Sequence, residues 1–388
     1  MAGSGRLHAM DNLRALAMFA GVLFHAGLAY SALAHDFVPT ADRAQSVALD
    51  AGLWFVHLFR MPLFFLVAGY FAARLVAMRG VGGMLRNRVR RVGLPFLLFL
   101  PPTYLALKHA TLQAAITVQH PSPLLAMIRP YALMPDLPAQ PPGTAHLWFL
   151  YYLMLFCVLV WSARTLGMGA IAARLRRLRP GWQLGLLPLL LVPSLAAVTA
   201  PHPAPESLLP QFWAIGYFGP CFAFGYLLHG HEAAIARLRP VAPWLVAASV
   251  LLYLVFWLGV TRQAAGAAHS WFPWALALLE AYIGAWMTLA CLILGWHLLD
   301  RRHAVLRYLA DASYWTYLLH LPILFALQYR LMDLDWPWPA KFAVAVATTL
   351  ALCMGSYQLL VRGTRFGAFI GVENARRPPP LTTAAASP

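Results

Sequence analysis

Uninterrupted apolar runs near bilayer length recur along this chain, and they restrict its fold more than any other feature. The first, residues 11–34 (DNLRALAMFAGVLFHAGLAYSALA), is long enough to cross a hydrocarbon core, which takes about 20 residues. Similar runs follow at roughly 51–77, 92–108, 146–166, 183–200, 211–229, 241–260, 272–299, 309–331 and 340–361. Barrel strands alternate apolar and polar residues over short segments, whereas these runs are continuous. The expected fold is therefore an all-α integral membrane protein with about ten transmembrane helices. Only 11% of the 388 residues are charged, against about 25% in a soluble domain.

Charge placement sets the expected orientation. With the N-terminus in the cytoplasm, the arginine clusters in the expected loops at 79–91, 164–179, 237–239 and 301–307 and in the tail at 362–377 all fall on the cytoplasmic side. Both termini are then cytoplasmic. Membrane orientation accounts for the net charge of +16, and no nucleic-acid partner is expected. Membrane lipids are the expected surroundings, and the oligomeric state is not legible. Residues 1–365 read as a single polytopic domain and 366–388 as a short disordered cytoplasmic tail. The Pro-rich stretch 109–145 reads as an ordered cover or a substrate-facing loop, and AARLRRLR at 172–179 as a short amphipathic helix on anionic headgroups. Ala32-Leu33-Ala34 looks like a cleavage site, but the run before it is too long for a signal peptide and holds His25; a retained first helix is expected. The four cysteines, Cys157, Cys221, Cys291 and Cys353, lie inside apolar runs without disulfide or metal spacing.

Ionisable residues at membrane depth mark candidate function, because each is costly unless it faces a polar interior. Arg14 and His25 are eleven residues apart, about three helical turns, so they share one face roughly 16 Å apart. His25 fits either a packed structural histidine or a general base, for which neutral imidazole is suited. Arg14 fits an orientation anchor or an anion-binding fork. In the second run, His57 and Arg60 lie three apart near one end, where Arg60 fits contact with a substrate or a cover loop. Gly69 in the same run reads as a close helix contact. Five arginines, including Arg88 and Arg91, precede the third run; their partners are lipid phosphates or a phosphorylated cofactor. His146 opens the fourth run beside Trp148, Tyr151 and Tyr152, as part of an interfacial aromatic belt or as a site residue. Glu280 sits mid-run and needs a His or Arg partner, expected on the inner face of another helix. Ser313, Tyr317 and His320 form a polar stripe on the ninth run. No G-x-S-x-G elbow, phosphate-binding P-loop, H-E-x-x-H or cysteine cluster is present, so no metal is expected.

Four segments in this order resemble the acyltransferase-3 family of integral membrane proteins: Arg14-x10-His25, FRMPLFFLVAGYF, Arg88-x-x-Arg91-x-x-x-Pro95 and SYWTYLLHLPIL. The opening MDNLRALAMFAGVLFHAGLAYS and HLWFLYYL look more like the glucan succinyltransferase branch of that family. The resemblance implies a multi-pass enzyme of the bacterial inner membrane. Such an enzyme moves an acyl group, succinyl or acetyl, from cytoplasmic acyl-CoA to hydroxyls of a periplasmic glucan or another envelope polysaccharide. It implies no permanently bound cofactor, since acyl-CoA is a substrate. It carries catalytic roles to Arg14 and His25 and donor binding to Arg88 and Arg91. It leaves His57, Arg60, His146, Glu280, Tyr317 and His320 as substrate-binding or supporting residues. No acidic role carries over to Phe149-Leu150-Tyr151-Tyr152, where many members have a glutamate. The competing reading is a secondary transporter of a sugar or organic acid, which also uses broken helices and mid-membrane charges.

Overall fold

The computed structural model describes residues 8–134, 142–167, 180–264, 266, 270–300 and 303–370. It is helical throughout: α1 (His8–Gly27), α2 (Val47–Arg88), α3 (Leu94–Thr117), α4 (Pro123–Leu133), α5 (Trp148–Thr165) and α6 (Pro180–Ala196) come first. Then follow α7 (Phe212–Leu228), α8 (Glu232–Arg237), α9 (Ala242–Ala264), α10 (Phe272–Leu298), α11 (Ala304–Leu331), α12 (Trp338–Ser356) and α13 (Arg365–Phe369). Among the described residues there is no β-strand, only an isolated bridge between Gly143 and Ser207. By length and composition, six helical segments are able to cross a membrane: His8–Tyr30, Val47–Thr117, Ala145–Thr165, Arg239–Ala264, Phe272–Leu298 and Trp338–Val361. The second of these is 71 residues long. α7 is apolar but shorter, and the polar stripe of α11 keeps that helix out of the set.

Every expected apolar run coincides with a helix, but two expected loops are corrected. The arginine-rich stretch 79–91 is not a loop. α2 continues through it to Arg88, and a π-helical turn, Val89–Gly93, joins it to α3. The one residue of α2 with non-helical dihedrals is Gly80 (φ 69°, ψ 172°), a conformation that other residues adopt only at a cost. Of the stretch 109–145, the described residues 109–134 are largely helical. α3 runs on to Thr117, and α4 packs against it as a cover. Ser122 caps α4 by accepting from Leu125 N at 3.1 Å, and its hydroxyl donates to Pro39 O at 2.9 Å. Arg129 donates to Ala115 O and Val118 O at 2.6 and 3.0 Å, which satisfies the open end of α3. Asp333, in the turn after α11, accepts from Gln119 N and His120 N, both at 3.0 Å. The expected amphipathic helix at 172–179 and most of the expected tail lie outside the described residues.

α2 is the axis of the bundle. Residues 60–70 are buried without a break, and the helix packs against α1, α5, α7 and α10. A helix that is apolar on all sides has to be enclosed on all sides. The pairing of α2 with α7 is the tightest. A Cβ on Gly69 would lie 2.0 Å from Phe222 O, and one on Gly225 would lie 1.8 Å from Leu66 O. Phe65, Phe218, Phe222, Tyr152 and Phe156 interleave around that contact. At the end of the bundle where α1 finishes, the connection 31–46 is pinned from below. Asp50 accepts from Ser31 Oγ and from Leu33 N, and the buried Lys341 pairs with Asp42 at 2.7 Å.

Candidate active site

α1 brings His25 to the middle of the bundle, between α2 and α11. Its ring packs edge-on against Phe24, with centroids 5.5 Å apart, and lies 5.4 Å from the ring of His320 on α11. It is half-buried, with part of its ring exposed. The neighbouring histidines are held differently. His320 Nδ1 lies 2.8 Å from Tyr317 O and 3.2 Å from Thr316 O. A carbonyl only accepts, so Nδ1 carries the proton and Nε2 is left as an acceptor. That Nε2 is buried with no partner in the protein. His146 sits in a 3-10 turn, Ala145–Leu147, ahead of α5. Its Nε2 donates to the same Tyr317 O at 2.9 Å, and the Tyr317 hydroxyl donates back to His146 O at 2.7 Å. His146 and His320 stand 4.9 Å apart, edge to face. The aromatic-belt reading of His146 is thus overturned: the residue is 4% exposed and belongs to the interior cluster. Ser313, the third member of the polar stripe, donates to Ala310 O within its own helix.

A second pair of imidazoles lies on the other side of Phe24. His57 stacks on Phe24 at 4.9 Å and on His202 at 4.5 Å, and its Nε2 donates to His202 O at 2.9 Å. His202 carries no signal of its own in the sequence; it sits in a Pro-rich connection between two apolar runs. It is nevertheless the partner of Glu280. The Glu280 carboxylate accepts from His202 N at 3.0 Å and lies 2.6 Å from His202 Nδ1, with both side chains 1% exposed. The expectation of a partner on a neighbouring helix is corrected: the connection 197–211 between α6 and α7 dips inward to supply it. That connection is also stitched to the segment around His146. Thr144 donates to Glu206 O through its backbone N at 2.7 Å and its hydroxyl at 2.9 Å, and the Tyr152 hydroxyl accepts from Gln211 N at 2.8 Å. One strap therefore positions His146 and His202 together.

Arg60 is 7% exposed in the same region. Its guanidinium lies 4.8 Å above the Phe24 ring, and its Nη1 rests where a Cβ on Gly21 would sit, at 2.5 Å. Arg14 lies toward the start of α1, about a third exposed and 3.7 Å from Asp11. Arg88, at the end of α2, is within electrostatic range of Arg14 and Arg91 and has two buried guanidinium nitrogens without a partner. The structure thus assembles His25, His57, Arg60, His146, Tyr317 and His320 into one interior cluster. It sets Arg14, Arg88 and Arg91 together at the end of the bundle where α1 begins. An apolar cleft lined by Leu66, Leu191, Pro220, Cys221, Phe224 and Leu289 shares none of its lining residues with either cluster. Among the described residues, no group of three His, Cys, Asp or Glu side chains has the geometry to hold a metal ion.

The profile of the acyltransferase-3 family, described as an acyltransferase domain, matches residues 7–358, and the chain belongs to that family as an O-acyltransferase. Among curated proteins it is similar to glucans biosynthesis protein C of Salmonella typhi, Salmonella agona and Salmonella typhimurium. Each is 26% identical over 338 residues, covering 82% of this chain and 82% of the relative. No solved structure matches the chain.

Proposed function

We propose that the protein transfers an acyl group, succinyl or acetyl, from cytoplasmic acyl-CoA to hydroxyls of a glucan or another carbohydrate of the bacterial envelope. The observation that carries this reading is the open imidazole of His25, on the same helix as Arg14 and facing an interior lined by three tethered histidines. His57, His146 and His320 are each committed to a backbone carbonyl, whereas His25 packs by ring contacts alone. Each of those three keeps its other ring nitrogen as a buried acceptor, whereas His25 keeps part of its ring exposed, so His25 is the imidazole that a substrate hydroxyl reaches to give and regain a proton.

The chemistry is a single balanced exchange. A carbohydrate hydroxyl gives its proton to the acceptor nitrogen of His25 while its oxygen attacks the thioester carbonyl carbon. The new C–O bond forms and the C–S bond breaks. The departing thiolate takes the proton back from His25, giving an ester and free CoA. Arg14, Arg88 and Arg91 form a cationic mouth for the phosphates of the nucleotide end, a task suited to guanidinium forks. The unpartnered nitrogens of Arg88 support this role, because buried donors without acceptors are costly unless a ligand supplies them. The long thin pantetheine arm reaches from that mouth toward His25. Ten crossings with both termini cytoplasmic in the inner membrane put the mouth on the cytoplasmic side and the His146–His202 strap on the side of the glucan. Family membership favours transfer over transport, and the relatives' name favours a glucan acceptor.

Mass spectrometry of envelope glucans tests the reading, with the gene intact, deleted, or carrying His25→Ala. The expected result is a mass increment that disappears in both altered strains while the glucan backbone remains. Unchanged glucans in the deleted strain would remove glucan as the acceptor.

A further inference from the structure

We infer that Arg60 is the receptor for a carboxylate at the far end of the transferred acyl group, so that the enzyme selects the half-thioester of a dicarboxylic acid over an uncharged acyl chain. This inference rests on the acyl-transfer reading. Arg60 is a guanidinium enclosed in the middle of α2 at 7% exposure, with its Nε buried and unpartnered. The carboxylates of Asp11, Asp42, Glu280, Asp333 and Asp335 are paired with other groups, and none of those pairs includes Arg60. Its guanidinium lies over the face of Phe24 and against the bare backbone of Gly21, with Tyr317, His25, His57 and His320 within electrostatic range and no carboxylate among them. A buried cation with no counter-ion is costly, and a bound anion is the compensation that such a site lacks.

Position selects which anion. Gly21 is one helical turn before His25, a rise of about 5–6 Å, on the same face and toward Arg14. The guanidinium therefore flanks the route from the cationic mouth to His25. An oxyanion on the reacting carbon would sit beside His25. A carboxylate three carbon–carbon bonds further along a four-carbon acyl chain lies roughly 4–5 Å away, and because the tail leaves the carbonyl carbon at an angle to the C–S bond, a bent chain brings it sideways onto the α2 guanidinium. The planar fork of arginine then accepts the carboxylate in bidentate fashion.

The test uses the purified full-length protein in lipid nanodiscs with envelope glucan as acceptor. It compares succinyl-CoA with butyryl-CoA, which has the same carbon count and no carboxylate. The ratio of the two kcat/KM values does not depend on how much protein is folded. For the unaltered protein the expected preference for succinyl is about 100-fold or more. Arg60→Gln collapses the ratio by at least about 30-fold, and Arg60→Lys, which keeps the charge without the fork, falls between. Gly21→Ala gives an independent arm, since its methyl displaces Nη1 while suiting the helix; it also lowers the ratio. Equal use of both donors by the unaltered protein overturns the inference. So does a ratio that survives Gly21→Ala and Arg60→Gln while both rates fall together, which marks Arg60 as an oxyanion or packing residue. If neither thioester is consumed by the unaltered protein, the acyl-transfer reading itself fails.

Discussion

Replacing His25 by alanine removes the one imidazole of the cluster that no backbone carbonyl holds. A positioned general base contributes about 10²–10⁴-fold, so transfer should fall by that factor while the protein still folds. Glu280 plays a different part. It satisfies two donors of His202 at 1% exposure, and His202 O in turn orients His57. Glu280→Ala leaves those donors buried and unmet, at about 3–5 kcal/mol. Thermal unfolding in detergent should show a large drop in Tm for Glu280→Ala and a smaller one for Glu280→Gln, which keeps an acceptor oxygen. Equal stability of all three proteins would remove the structural role. Arg14, His25, Arg60 and His320 were legible in the sequence because an ionisable residue stands out against an apolar run. His202 was not, because it lies in a polar connection where histidine is ordinary. Its burial follows from the folding-in of that connection, which no local pattern encodes.

Between elements, the decisive contact is α2 against α7. Two glycines, Gly69 and Gly225, let the helix backbones meet. Gly225→Ala puts a methyl 1.8 Å from a backbone oxygen, so the helices must part, at about 1–3 kcal/mol or more. Gly52→Ala and Gly355→Ala meet nothing within 4 Å and should be neutral or gain about 0.5–1 kcal/mol from helix propensity. Thermal unfolding of the three variants separates the cases, and an unchanged Tm for Gly225→Ala would contradict the close approach. Apolar periodicity located the helices well, since length and continuity alone mark them. It failed at the joint between α2 and α3. There the arginines around 79–91 read as a loop, yet long cationic side chains extend a helix past the apolar layer without penalty. It also missed α4, whose helix is set by the Ser122 cap and by packing on α3.

For the whole molecule, the proposed topology divides the bundle into a cationic cytoplasmic mouth at the start of α1 and a strapped far side carrying His146 and His202. Single cysteines placed in a protein whose four native cysteines are changed to serine should map this division. A thiol at Gly82 is expected to react only from the cytoplasm, and one at Ser207 only from the periplasm. Labelling of both from one side would break the proposed orientation. The central claim, that His25 drives acyl transfer from a thioester to a carbohydrate hydroxyl, is tested most directly by following free CoA. The purified protein in nanodiscs is given succinyl-CoA with and without glucan, and His25→Ala is run alongside. CoA release that requires glucan and falls at least about 100-fold in His25→Ala is the predicted result. Release that ignores glucan, or that His25→Ala sustains at full rate, would contradict it.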